Sequence, residues 1–283
     1  MLATKMPHRN ELLSALARVN DQVCFVLFLD SHVGPELQQL AADRPRDFTP
    51  TVFPNNMFAE RIYVPVGRLP QFRSEQLITS LGVSFAFAVE QLLLYIEIAI
   101  RHWVEVNGIT CQITEPIDAC LQSCVVKGAK KAIDSNLIKT VKYLRLRRNH
   151  VIHAASELTA EFVKSLKYDG PVLQKHWGAK TTIQAVDFSS DAVRTFTADE
   201  TISLIKLVRI CVEEIDNFLA GELEGEQVLK LLERDLLDRQ PELKAKGPAI
   251  AARRVRKVKK RAFELYALSA KTLEVAHVLG VAI

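Results

Sequence analysis

The sequence predicts an all-α fold, and two observations carry that prediction. Apolar residues recur every three or four positions through most of the 283 residues, which is the spacing that puts them on one side of a helix. The segments between these stretches contain Gly and Pro, which end helices. A hydrophobic content of 48% and a charged content of 25% are typical of a folded soluble protein, and the length allows one large domain plus an extension.

The N-terminal segment, residues 1–73, is predicted to contain one or two helices followed by an irregular connector. Helical spacing begins near residue 9 and continues to about Leu40, with Gly34-Pro35 as the expected break. Residues 44–73 contain five prolines, which exclude a long helix there. Within this connector, residues 61–66 could form a short edge strand.

The next stretch, from Ser74 to about Val106, is predicted to be one long helix that ends at Asn107-Gly108. It is apolar nearly all round, which is typical of a central helix in a bundle. The exceptions share one stripe of the helix: Glu90, Glu97 and Arg101. Buried charges need partners, so this stripe is expected to face either the predicted helix over 130–166 or a dimer interface. Each glutamate would cost roughly 2.5 kcal/mol or more near a bilayer centre, so a buried helix is favoured over a membrane span.

Three domains are predicted in chain order: the N-terminal segment 1–73, a helical bundle over 74–240 and a basic helical extension over 241–283. Beyond the central helix, the bundle is predicted to contain four further helices. They are predicted from Pro116 to Gly128, over about 130–166, from a cap at Thr197 or Asp199 to Leu219, and over 225–239. Residues 167–198 are predicted to form a loop or a small β-hairpin inserted before the third of these.

Cysteine number and the lack of familiar loops limit the class of protein. Five cysteines is an odd number, and the first residues carry no apolar run of signal-peptide length, so a reducing cytoplasm is predicted. Cys120 and Cys124 lie one turn apart without two further ligands at suitable spacing, so we interpret them as buried, apolar-like side chains. No Gly-rich nucleotide loop, nucleophile elbow or zinc spacing occurs, so neither a metal nor a cofactor is predicted.

Charge is distributed unevenly along the chain. Residues 244–261 contain nine Lys and Arg and no acid, whereas the whole chain has a formal net charge of +4. The remainder of the chain therefore carries −5. A basic tail on an acidic body indicates an anionic partner, and we predict RNA contacts for the tail residues Arg253, Arg254, Arg256, Lys257, Lys259, Lys260 and Arg261. A solvated extension is the alternative.

A short motif lies within the predicted helix over 130–166. The stretch 144–153 has apolar residues on one side and polar ones on the other, and it contains Arg148-Asn149-x-x-x-His153. An Arg-x(4–6)-His pair whose Arg precedes a polar residue, often Asn, resembles the signature of the HEPN superfamily, whose members are mostly helical-bundle ribonucleases. The resemblance implies an up-and-down helical bundle, here over about 74–220, that acts as a metal-independent endoribonuclease.

The resemblance also implies roles: Arg148 as phosphate ligand, His153 as general acid and base, and Asn149 as an orienting residue. These residue types suit the chemistry, because His exchanges protons near neutral pH and Arg can hold two phosphate oxygens. Positions 148 and 153 lie about 140° apart around an ideal helix. They could flank one cleft only if the helix is broken near Asn149 or if a second subunit supplies the other wall.

Family sites form where two motifs meet across a dimer, so the resemblance implies a homodimer. It also implies bacterial defence or a toxin–antitoxin setting, with an antitoxin or another protein as partner and no membrane. Beside the motif, Arg145, Arg147 and His150 are predicted to form a solvated helix face or to contact the RNA backbone. Arg148 and His153 could themselves be ordinary polar surface residues.

Two other functions are compatible with the sequence. One is a catalytically inert, HEPN-like dimeric scaffold, because Ala154-Ala155 follows the motif in place of a Gly or Asn that would favour an active-site turn. The other is a nucleic-acid-binding regulator. Residues 261–281 resemble the first two helices of a helix-turn-helix, with Ala276-x-x-x-Gly280 at the tight turn. The sequence ends at Ile283, where a recognition helix would begin.

Overall fold

The protein is all-α, as the sequence predicts. The computed structural model describes residues 3–110, 113, 116–153, 157–180 and 183–281, with the backbone alone for 124–127. The chain is 76% helical. The helices within the described residues are α1 (Arg9–Asp43), α2 (Thr49–Val52), α3 (Met57–Ile62), α4 (Leu69–Asn107), α5 (Ile117–Gly128), α6 (Ser135–Ile152), α7 (Ala160–Tyr168), α8 (Gly170–Gly178), α9 (Ala198–Gly221), α10 (Gly225–Arg239), α11 (Pro248–Tyr266) and α12 (Thr272–Val278).

The predicted break at Gly34-Pro35 is wrong, because α1 continues through Pro35 as far as Asp43. A proline in a helix interior removes one backbone hydrogen bond, so the helix needs support nearby. Arg73 of α4 supplies it one turn earlier. Its Nε and Nη2 each donate to the Asp30 carboxylate at 2.6 Å, and Nη2 also donates to the Asp30 carbonyl oxygen at 3.0 Å.

The proline-rich connector is more helical than predicted. It forms α2, α3 and a 3₁₀ turn over Val66–Arg68. The expected edge strand is absent from these described residues, where a single antiparallel bridge joins Phe48 to Pro65. The long helix α4 begins at Leu69 rather than Ser74, because Pro70 falls in the first turn, where its missing N–H has no intrahelical partner to lose.

Of the two alternatives predicted for 167–198, the β-hairpin is wrong for the described residues, whereas the loop is found in the second half of the segment. This segment contains the end of α7 and the whole of α8, whose first turn holds Pro171. Residues 183–197 form turns and no strand. The predicted helix over 130–166 is divided, since α6 ends at Ile152 and α7 starts after Thr159, whose Oγ1 accepts from the Phe162 N–H at 3.2 Å.

Several predicted helix ends are confirmed. The helix α4 ends before Gly108, which adopts a left-handed φ of +63°. Thr197, rather than Asp199, caps α9, because its Oγ1 accepts from the Glu200 N–H at 3.2 Å. The helix α10 covers Gly225–Arg239 and stops before Gln240-Pro241, as expected.

Contacts divide the chain into two units, each made of separated segments. The first unit contains residues 1–15, 90–145 and 208–283, and the second contains 16–89 and 146–207. The division predicted from the sequence follows chain order instead, whereas these boundaries fall inside α1, α4, α6 and α9.

The core of the first unit contains a buried carboxylate. Asp216 of α9 is fully buried, where its Oδ1 accepts from the Met6 backbone N–H at 2.9 Å and from the Tyr95 hydroxyl. The Arg9 guanidinium lies 3.4 Å from Oδ2. Burial raises the pKa of Asp216, although these donors and the nearby cation oppose the shift. Asp216 thus ties the start of the chain to α4 and α9.

The basic helix α11 is docked in the same unit through its apolar side. Val255, Val258 and Ala262 are buried along that side, and Tyr266 at its end bonds the His102 ring. The Thr4 backbone N–H also donates to the Tyr266 carbonyl at 3.1 Å. The extension is therefore part of a packed unit.

Two helical stretches are long and apolar enough to cross a bilayer, Arg9–Asp43 and Val66–Asn107. Half of the most apolar part of the second is buried inside the protein, as predicted for a core helix, so length and composition are weak evidence for a membrane span. The polar stripe of α4 ends in a surface ion pair, with Arg101 Nη2 at 2.6 Å from Glu97 Oε1, and Glu90 is exposed.

The raised pKa of Asp216 predicts a specific dependence of stability on pH. Above the ordinary carboxyl pKa of about 4, the folded protein keeps a proton that the unfolded chain has lost, so the free energy of unfolding falls as pH rises through that window. The Asp216→Asn variant cannot ionise there. Its urea midpoint relative to wild type should therefore increase from pH 4 to pH 7. Parallel profiles would contradict this, and Asp238→Asn, at an exposed carboxylate, is the matched control.

Candidate functional site

The motif lies at the C-terminal end of α6, where the chain is held against α4. Gly82 of α4 permits a close approach, because a Cβ added there would lie 3.0 Å from the Phe196 ring and 3.6 Å from Val151. Val151 follows the motif residues Arg148 and Asn149 within α6. The small residue on α4 thus lets α6 and the segment before α9 pack closely just beside the motif.

Arg147, immediately before the motif, is a core residue with 1% of its surface exposed. Its guanidinium carbon lies 4.9 Å from the centre of the Phe196 ring and 5.6 Å from that of Phe85, which places the cation against two aromatic faces. Nη1 donates to Glu200 at 2.7 Å and Nε to the Val193 carbonyl at 3.1 Å. The predicted solvated face is therefore wrong at this position.

His150 is also turned inward, with 8% of its surface exposed. Its ring meets Phe162 edge-on at 6.3 Å, and its carbonyl oxygen accepts from Arg194 Nη2 at 3.3 Å. Burial lowers the pKa of His150, and the Arg194 charge lowers it further. His150 is thus neutral near pH 7 and does not lie on a solvated face, contrary to prediction.

Arg145 belongs to the first unit and makes an ion pair there. Its Nε lies 2.6 Å from Oδ1 of Asp118 on α5, and both side chains are largely buried. A guanidinium paired in this way stabilises the packing of α5 on α6. The prediction of a solvated face is wrong for Arg145 as well.

Arg148 and Asn149 form the polar end of α6. Both side chains are half-buried, and Arg148 Nη1 donates to Asn149 Oδ1 at 2.9 Å. The bond between neighbouring side chains limits the directions in which the guanidinium can point. The orienting role that the resemblance implies for Asn149 is compatible with this contact.

His153 lies in the turn that follows α6, and its side chain is exposed. Its backbone N–H donates to the Asn149 carbonyl at 3.0 Å, which is the spacing of a helical hydrogen bond. The helix is therefore continuous through Asn149, and the suggested break at that residue is wrong. Residues 154–156, where Ala154-Ala155 argued against an active-site turn, lie outside the described part of the chain.

Helical geometry decides what one copy of the motif can do. With α6 unbroken, Arg148 and His153 keep the angular separation of about 140° expected for positions five apart. A phosphate bound by Arg148 would therefore lie on a different side of the helix axis from position 153 of the same chain. A broken helix is thus excluded as the way to form a single cleft, and a second subunit is the alternative proposed from the sequence.

The basic residues of α11 fall into two groups. Arg254 lies 3.1 Å from Glu233 of α10, and Lys257 Nζ donates to Gln240. The cations on the outer side of the helix line a surface cleft with the start of α12: Arg256, Lys259 and Lys260. Arg253 is exposed and Arg261 is partly exposed.

The described residues contain no group of three or more His, Cys, Asp or Glu that could hold a metal ion. Cys120 is buried as expected, whereas the Cys124 side chain lies outside the described part.

Comparisons with protein-family models, with curated proteins and with solved structures found no match for this chain.

Sequence reasoning missed the core position of Arg147, although its spacing carried a signal. Thr140, Leu144 and Arg147 are all buried and follow one another at intervals of four and three, so they share one side of α6. The charge of Arg147 hid this periodicity. The acidic partner, Glu200, stands 53 positions along the chain, at a distance that no local pattern reveals.

The burial of Arg147 predicts a large effect on stability. Arg147→Lys should lower the free energy of unfolding by about 2 kcal/mol, because an ammonium cannot bond Val193 and Glu200 together while stacking on both rings. Arg147→Ala should cost about 4 kcal/mol by leaving Glu200 without its buried partner. Urea unfolding followed by circular dichroism measures both.

The matched control is Arg253→Ala, because this arginine is exposed. Its loss should change the free energy of unfolding by no more than about 0.5 kcal/mol. An Arg147→Ala variant as stable as this control would show that the buried cation contributes nothing to the fold.

Proposed function

We propose that this protein is a metal-independent endoribonuclease whose active site is composed of two copies of the chain. The observation that carries the proposal is the pairing of Arg148 with Asn149 at the end of α6, one turn before an exposed histidine, His153. This arrangement supplies a permanent cation with a limited direction and a group that can exchange protons near neutral pH. A setting in bacterial defence, with an antitoxin as protein partner, belongs to the same proposal.

The chemistry is a transfer within the RNA chain. His153 takes the proton of a 2′-hydroxyl, and the 2′-oxygen forms a bond to the adjacent phosphorus. The bond from phosphorus to the 5′-oxygen breaks, and that oxygen receives a proton from the protonated histidine. The products are a 2′,3′-cyclic phosphate and a 5′-hydroxyl, so no water or metal is consumed. Arg148 stabilises the charge that builds up on the phosphate oxygens.

A second copy of the chain completes the site in this proposal. Because α6 is continuous, Arg148 of one copy needs His153 from another copy to act on the same phosphate. Exposed apolar residues near Gly82 and Val151 in the sequence suit such an interface, namely Val83, Phe87 and Ile152. Exposed apolar surface beside a polar motif is typical of a protein interface, and a twofold arrangement would bring both motifs together.

An inert dimeric scaffold is the second candidate. The bond from Arg148 to Asn149 favours the scaffold, because one donor of the guanidinium is already occupied within the chain. A scaffold would keep the dimer and bind another protein while leaving RNA intact. Both functions therefore require a dimer, but only the nuclease cleaves RNA.

The proposal predicts that RNA cleavage depends on both charged residues of the motif. His153→Ala and Arg148→Ala should each slow cleavage of a single-stranded RNA by about 100-fold or more in EDTA, because proton transfer and charge stabilisation are each worth that much. His153 is exposed, so the His153→Ala variant should keep the wild-type melting temperature. Cleavage is measured on a labelled RNA by gel electrophoresis.

The control is His32→Ala, at an exposed histidine on α1, which should cut RNA at the wild-type rate. Two results would overturn the nuclease proposal. One is an unchanged rate in His153→Ala, and the other is a rate that EDTA abolishes in the wild type. A stable dimer that cuts no RNA would point to the scaffold.

A further inference from the structure

A surface cleft lies between α11 and the beginning of α12 in the first unit. Its volume is about 470 Å³, within the range of roughly 300–1,000 Å³ that ligand pockets occupy. Ala267 makes this shape possible, because it ends α11 in a left-handed conformation with φ of +50° and turns the chain back. The side chains that line the cleft include Arg256, Lys259, Lys260, Phe263, Ser269 and Thr272.

The cleft is positively charged, and none of the residues that line it is an acid. Arg256, Lys259 and Lys260 are three and four positions apart, so they share one side of α11. Lys259 Nζ lies 3.3 Å from the Thr272 hydroxyl, and Lys260 lies 3.7 Å from Glu264 in an exposed pair. Like charges at this spacing destabilise a helix, so an anionic ligand would relieve their repulsion.

An aromatic ring stands next to these cations. Phe263 follows Lys259 by four positions and Lys260 by three, and 62% of its surface is exposed. A phenylalanine this exposed contributes little to the core. A ring beside a row of cations is the combination with which proteins hold single-stranded nucleic acid, since bases stack on the ring while the cations follow the phosphates.

We propose that this cleft binds a short stretch of single-stranded nucleic acid. Arg256, Lys259 and Lys260 contact successive phosphates, the Ser269 and Thr272 hydroxyls add hydrogen bonds, and one base stacks on Phe263. A duplex is excluded as the preferred ligand, because its bases are already stacked on each other and offer no free face to the ring. The binding does not require the cleavage chemistry of the motif.

A membrane surface fits the cleft less well. A helix that lies on a bilayer inserts a continuous apolar side, whereas the apolar side of α11 is already buried through Val255, Val258 and Ala262. The large apolar side chains that stay exposed on α11 and α12 are Phe263 and Leu273. Two separated residues supply little area for insertion, so the charges are better matched to a flexible polyanion.

The cleft also accounts for the division of the basic segment. Arg254 pairs with Glu233 and Lys257 donates to Gln240, both within the first unit. These contacts attach α11 to α10 and to the residue that follows it. The three cleft cations point elsewhere on the same helix. Within the described residues, neither Arg256 nor Lys259 makes an ion pair with a carboxylate, which leaves their charge available to a ligand.

The test uses the full-length protein and a labelled twelve-nucleotide oligodeoxythymidylate, measured by fluorescence anisotropy. DNA has no 2′-hydroxyl, so the proposed cleavage cannot consume it. The triple variant R256A/K259A/K260A should raise Kd at least tenfold and reduce the slope of log K against log salt by about 2, since each phosphate contact contributes about 0.7. The triple variant K230A/K244A/K246A removes the same charge at exposed positions outside the cleft and should change Kd by less than threefold.

Phe263 provides a second and independent readout. Phe263→Ala should raise Kd by about tenfold, and Phe263→Trp should bind as tightly as wild type, because the larger ring preserves stacking. Equal losses in the two triple variants would overturn the proposal, since they would indicate attraction by net charge alone. An unchanged Kd in Phe263→Ala, or equal affinity for a duplex of the same length, would also overturn it.

The same measurements separate this site from its alternatives. Displacement of the oligonucleotide by phosphatidylserine vesicles, with loss of vesicle binding in the cleft variant, would assign the cleft to a membrane surface and contradict the proposal. Oligonucleotide binding in a protein that fails to cut RNA would support the cleft while the nuclease proposal falls. RNA cleavage that persists in a cleft variant that no longer binds the oligonucleotide would support both sites as separate.

Discussion

The candidate site depends on one buried cation that does not belong to it. Arg147 packs against the rings of Phe85 and Phe196, which also contact each other, and it donates to Glu200 and to the Val193 carbonyl. A charge can stay in a core only when its partners are fixed, and these partners come from α4, α9 and the segment between α8 and α9. Arg148 follows Arg147 after a rotation of about 100° around α6, so it leaves the helix in another direction and is half-buried.

The continuous helix at Asn149 limits how Arg148 and His153 can meet. A flexible turn at Asn149 would let Arg148 and His153 of one chain approach the same phosphate. The helical bond from the His153 N–H to the Asn149 carbonyl keeps the backbone helical there, so the two residues stay about 140° apart around the helix axis. The proposed composite site therefore rests on this helix geometry as well as on the family resemblance.

Local signals in the sequence predicted local structure well. The all-α class, the end of α4 at Gly108 and the Thr197 cap of α9 follow from periodicity and from the conformational preferences of single residues. The failures involve partners far away in the chain. Pro35 remains helical beside an ion pair of Asp30 with Arg73, and Arg147 is buried because Glu200 meets it. No pattern in the sequence divides the basic segment either. In the structure Arg254 and Lys257 bond to neighbouring residues, whereas other cations of α11 line a cleft.

The claim that two copies share one active site is tested most directly by mixing two inactive variants. Arg148→Ala and His153→Ala, carrying different affinity tags, are co-expressed, and the protein that carries both tags is isolated together with the two homodimers. In a mixed dimer one site has lost both residues and the other keeps both, so a mixed dimer should have about half of the wild-type rate of RNA cleavage. Random pairing makes about half of the dimers mixed, so the whole population should recover about a quarter of that rate. Recovery of that order would support a site shared between copies. A mixed dimer as inactive as either parent, in a preparation whose wild type cuts RNA, would contradict it.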